Sequence, residues 1–151
     1  MSETTCSTGC CALSGQQIKS GIYGGLIGGA VFGMMMGMMG MLPMIGKMVG
    51  LPSAGAGFLV HLIISAMIGI GYSFTFGKCA TVMKKGFLGG LLYGGIWWLL
   101  GPLTLMPLFM GMGLGVNWNA AAAVKMMPSL MGHLVFGAIL GITYVKLQRK
   151  E

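Results

Sequence analysis

The sequence predicts an all-α polytopic membrane protein, with four transmembrane helices arranged as two tandem two-helix repeats and packed through glycine zippers. Three observations lead there. The 151 residues are 56% hydrophobic and only 7% charged, whereas soluble domains carry roughly 25% charged residues. Four apolar stretches, near residues 20–45, 54–77, 86–108 and 128–147, each reach the ~20 residues that cross a hydrocarbon core. Backbone groups in lipid must be satisfied internally, so such stretches are helices, and the lack of strict alternation argues against a barrel. The third observation is internal similarity. Residues 61–72 read HLIISAMIGIGY and residues 133–144 read HLVFGAILGITY. Upstream, GIYGGLIGGA at Gly21 aligns with GFLGGLLYGG at Gly86.

The elements follow in order. Residues 1–19 form a polar, flexible, cytoplasmic tail carrying Cys6, Cys10 and Cys11. It lacks the basic start and apolar core of a secretory signal. One membrane domain fills residues 20–147, with repeat 1 at about 20–77 and repeat 2 at about 86–147, and a basic C-terminus at 148–151 follows. In helix 1, Gly21, Gly25, Gly29, Gly33 and Gly37 recur every fourth residue; Gly86, Gly90 and Gly94 do so in helix 3. Small residues let membrane helices approach closely. Helix 2 answers with Gly57, Ser65 and Gly69, and helix 4 with Gly137 and Gly141. His61 and His133 each stand four residues before a small one, so both imidazoles are expected to face the helix interface. Pro43, Pro102 and Pro107 are expected to kink helices 1 and 3.

Charge sets the orientation. Lys19, Lys78, Lys84, Lys85, Lys146, Arg149 and Lys150 flank one end of the spans, and only Lys47 and Lys125 the other. That asymmetry is the positive-inside pattern, so the chain is expected in the inner (plasma) membrane with both termini cytoplasmic. It also removes the nucleic-acid reading that a net charge of +7 invites.

The only carboxylate side chains are Glu3 and Glu151. No span can supply paired acid/base carboxylates or an oxygen cage for a hard metal, and the chain is not expected to be an enzyme. Soft-ligand chemistry remains. Of 17 methionines, most lie in the outer halves of helices 1 and 3 or in the outer loops, whereas the four cysteines lie on the expected cytoplasmic side. Thioethers and imidazoles outside with thiolates inside suit copper(I), because soft ligands select soft metals. The candidate ligands are His61, His133, Met34, Met38, Met41 and Met131, with Cys6, Cys10 and Cys11 as inner acceptors. Helical projection puts Met34, Met38, Met41 and Met44 beside the glycine stripe and Met35 and Met39 toward lipid. Methionine also fills irregular gaps around glycine-rich helices, and each histidine could instead satisfy a backbone carbonyl.

The pattern Gly-His-Leu-x-x-Gly-x-x-Leu-Gly-x-x-Tyr at 132–144, its looser partner at His61, and the Pro-Ser pairs at 52–53 and 128–129 resemble a family. It comprises small four-helix bacterial and archaeal membrane proteins grouped as domains of unknown function. The resemblance covers roughly residues 20–147 and implies the topology and the paired histidines, but no activity. The expected function is soft-metal (copper-like) binding or transfer through outer-side His and Met and inner-side Cys; the alternative is a non-catalytic scaffold or accessory subunit of a larger membrane complex, followed by haem or pigment binding by the two histidines. Membrane lipids and a homo-oligomer or larger complex are the expected partners.

Overall fold

The computed structural model describes residues 14–149. It contains α1 (Gly15–Met38), α2 (Leu42–Lys47), α3 (Ala54–Thr75), α4 (Met83–Leu100), a π-helical turn (Gly101–Leu105), α5 (Met106–Phe109), α6 (Ala120–Lys125) and α7 (Met127–Gln148). No strand occurs among the described residues. Four helical segments are long and apolar enough to cross a membrane: α1, α3, Met83–Phe109 and α7.

The first span starts earlier than the composition of the tail implies. Ser14 caps α1, accepting from the Gln17 backbone N–H at 3.2 Å, while the Gln17 side chain accepts from the Ser14 N–H at 3.0 Å. This reciprocal pair satisfies two orphan donors of the first turn. The same span also ends early. Gly40 takes φ +67°, the Gly40 N–H bonds to Gly37 O and the Met41 N–H to Met36 O. Those two bonds satisfy the last carbonyls in a Schellman stop. The continuous helix expected to residue 45 is thus replaced by a turn and the separate α2, which opens near Pro43 and packs on α3. In the third span, proline produces a change of helix type. Pro102 has no N–H, and the ladder shifts to an i→i+5 bond from the Met106 N–H to Gly101 O.

The long helices contact one another in the order α3–α1–α7–α4. In the α1–α3 seam, a side chain at Gly21 would collide with the Gly69 carbonyl and one at Gly25 with the Ser65 carbonyl. In the α4–α7 seam, Gly86 meets the Gly141 carbonyl, Gly90 that of Gly137 and Gly94 that of His133. The α1–α7 seam is somewhat looser: a Cβ at Gly24 would stand 3.0 Å from Leu140 O, and one at Gly28 2.9 Å from Phe136 O.

The remaining seam, α3 against α4, is built differently. The two backbones barely meet, and aromatic side chains fill the gap. Tyr93 donates its hydroxyl to Ile68 O at 2.9 Å, and Tyr72 donates to Gly86 O at 3.0 Å. Tyr72, Phe76, Tyr93 and Trp97 form a chain of ring contacts between 5.4 and 6.2 Å.

Candidate functional site

The two motif histidines converge on one ring. The Phe32 centroid, on α1, lies 5.2 Å from that of His61 and 4.8 Å from that of His133, in edge-on geometry both times. α3 delivers His61 from one side and α7 delivers His133 from the other. Glycine makes this possible, because any side chain at Gly132 would run into the Phe32 ring. His61 is buried and His133 half-buried, so both imidazoles face the interior.

Each ring is anchored to a main-chain carbonyl, and by a different nitrogen. His61 Nε2 donates across the α1–α3 seam to Gly29 O at 3.1 Å. His133 Nδ1 donates within its own helix to Ser129 O at 2.8 Å, with Ser129 Oγ 3.4 Å away. A carbonyl only accepts, so the bonded nitrogen carries the proton. In their neutral forms the two histidines are therefore opposite tautomers, with lone pairs on His61 Nδ1 and His133 Nε2. The latter faces Gly101, the first residue of the π-helical turn: a Cβ there would lie 3.6 Å from it.

The sulfur ligands expected from sequence distribute differently. Met38 is 83% exposed, Met131 62% and Met34 58%, all on the outer surface of the bundle. The methionine that faces inward from the run is Met36, which is buried; Met41, also half-buried, packs against the same core. The placement of Met34 and Met38 beside the glycine stripe is corrected by helix geometry. A strict four-residue row advances about 40° per step around an α-helix. By Gly37 it has left the interface, and Gly37 is exposed while Phe32, Gly33 and Met36 are buried. Cys6, Cys10 and Cys11 lie outside the described residues. Among the described residues no three His, Cys, Asp or Glu side chains come together as a metal site.

Three features carry no obvious sequence signal. Phe32 is one of two aromatics, with Tyr23, in a glycine-rich helix. Tyr93 takes the α4 place that Gly28 holds in α1. Tyr144, fully buried, has a hydroxyl with no hydrogen-bond partner among the described residues, although its ring packs edge-on against Tyr72 at 5.4 Å. Two surface crevices, of about 430 and 510 Å³, flank the C-terminal half of α4. The first is lined by Trp118, whose indole N–H donates to Thr104 Oγ1 at 3.1 Å. Neither is lined by a histidine.

Comparison with protein families, with curated proteins and with solved structures finds no match for the chain.

Proposed function

We propose that this chain is a non-catalytic scaffold or accessory subunit of a larger assembly in the inner membrane. The observation that carries the reading is the state of the two histidines. Ionisable groups inside spans default to a functional role. Here each imidazole is hydrogen-bonded to a backbone carbonyl and packed against Phe32, which is a structural use. The lateral surface fits an accessory role. α4 packs closely on α7 alone, and its free side presents Leu88, Leu92, Ile96 and Leu99, all 40–59% exposed, in a stripe at helical spacing. A photo-crosslinking residue at Leu92 or Ile96 is expected to give one adduct of defined mass in native membranes. Absence of any α4 adduct overturns the reading.

The chain is further read as a tandem duplication. The contacts support it: Gly21–Gly69 and Gly25–Ser65 in the first helix pair answer to Gly86–Gly141 and Gly90–Gly137 in the second, at the positions the sequence alignment pairs.

Soft-metal binding is the second reading, favoured by the two unprotonated ring nitrogens and by the inward-facing Met36. Under this reading, His61 offers Nδ1 and His133 offers Nε2 to copper(I) beside Phe32. Loading the purified protein with copper(I) under reducing conditions and washing with a weak chelator tests it. A stoichiometric pool lost from His61→Ala/His133→Ala would replace the scaffold reading. Equal trace copper in parent and double variant would retire the metal reading. A Soret band lost in the same variant would move the assignment to haem.

A further inference from the structure

The lysine-rich end of the bundle carries six cations among the described residues: Lys19, Lys78, Lys84, Lys85, Lys146 and Arg149. All six are exposed, and no Asp or Glu occurs among the described residues. The whole sequence holds nine Lys and Arg against two Asp and Glu, so its own carboxylates cannot neutralise this end.

The fold puts five of these cations on the neighbouring ends of α1, α7 and α4. On one side, Gln148 Nε2 donates to Ser20 Oγ at 3.1 Å, which brings Lys19 of α1 to the turn holding Lys146 and Arg149. On the other, Gly86 is so close to Val145 and the Gly141 carbonyl that no side chain fits at 86. That contact sets the start of α4, with Lys84 and Lys85, on the other flank of the α7 end. Like charges on the neighbouring ends of a packed bundle repel unless anions sit among them.

Directly beneath the charges lies exposed apolar surface. Tyr23 is one turn from Lys19 and is 57% exposed; Phe87 and Leu88, one turn from Lys84 and Lys85, are 38% and 52% exposed. A ligand here meets cations at its head and a lipid-facing apolar wall along its tail. Inorganic phosphate or a nucleic acid would satisfy only the first.

We propose that the α1–α7–α4 junction at the lysine-rich end binds an anionic phospholipid. The phosphate lies among Lys19, Lys84, Lys85, Lys146 and Arg149, and the acyl chains run along the α1 and α4 faces. Clustered Lys and Arg at the ends of membrane helices attract anionic headgroups in this way. The site goes beyond the scaffold reading and does not depend on it.

The test uses the full chain purified in detergent and titrated with mixed micelles containing phosphatidylglycerol or phosphatidylcholine, with bound lipid counted by native mass spectrometry. Phosphatidylglycerol is expected to be retained selectively. Lys146→Gln/Arg149→Gln is expected to weaken it by about tenfold or more, the scale of removing two headgroup-facing cations. Lys47→Gln/Lys125→Gln, at the opposite end, should leave retention unchanged, and circular dichroism should show both variants equally helical. Free glycerol phosphate should not compete at concentrations equal to the lipid. Equal retention of the two lipids overturns the proposal, as does equal loss in the two double variants or effective competition by glycerol phosphate.

Discussion

Tyr72 and Tyr144 follow His61 and His133 at the same spacing and meet ring to ring, yet they are not equivalent. Tyr72 donates to Gly86 O, whereas the Tyr144 hydroxyl is buried without a partner among the described residues. A made hydrogen bond contributes about 1 kcal/mol net, but a buried polar group left unpaired costs its full desolvation penalty. Tyr72→Phe is therefore expected to lower stability by about 1 kcal/mol, and Tyr144→Phe to leave it unchanged or raise it. Thermal unfolding in detergent checks both; an equal loss in the two variants would mean that Tyr144 does have a partner. The histidines diverge in the same manner, bonding through Nε2 in one copy and Nδ1 in the other. Their inward orientation was legible from the small residue four positions later. Their convergence on Phe32 was not, because nothing in local spacing says which α1 residue will meet two other helices.

Adjacent glycines on one helix separate packing from propensity. Gly94 lies in the α4–α7 seam, and a side chain there would overlap the His133 carbonyl; Gly95 has nothing within 4 Å. Gly94→Ala is expected to destabilise by about 1–3 kcal/mol, as overpacking does. Gly95→Ala is expected to stabilise by up to about 1 kcal/mol, because alanine is the better helix former. Thermal unfolding of the two variants reads the difference, and similar effects at both positions would remove the close-contact account of the seam. The four spans were legible as apolar runs, and most seam glycines through their spacing. Helix boundaries were less so. Ser14–Gln17 did carry a capping signature, but the polar composition around it pointed to a tail. Gly40 ends α1 because a left-handed residue lets two terminal carbonyls be satisfied at once, a property its place in a run of methionines and glycines conceals. Pro102 announced a disturbance, and its resolution as a π-helical turn depends on which carbonyl the Met106 N–H can still reach.

At the scale of the molecule, the two helix pairs are alike inside and differ in how they meet others. Gly24 and Gly28 let α1 lie directly on α7. The aligned residues of α4 are Gly89 and Tyr93, and the tyrosine holds α3 and α4 apart while its hydroxyl reaches the Ile68 carbonyl. Ile68 aligns with Leu140, whose carbonyl Gly24 touches directly. One glycine-to-tyrosine difference thus turns a backbone contact into a side-chain bridge and leaves α4 as a peripheral helix with a free face. Orientation is a second whole-molecule property, and it rests on charge rather than packing. α1 and α4 both begin, and α3 and α7 both end, at the end bearing Lys19, Lys78, Lys84, Lys85, Lys146 and Arg149, while Lys47 and Lys125 stand at the other. Retention of Lys and Arg on the cytoplasmic side during insertion then gives one arrangement. Reporter fusions after Lys85 and at the C-terminus are expected to read cytoplasmic, and fusions within residues 115–125 external. An external signal after Lys85 would invert the molecule, placing the cation cluster in the outer leaflet and Met36, Met41 and the turn at Gly40 toward the cytoplasm. The seams would survive such a result unchanged, because glycine contact is indifferent to which side of the membrane it approaches from.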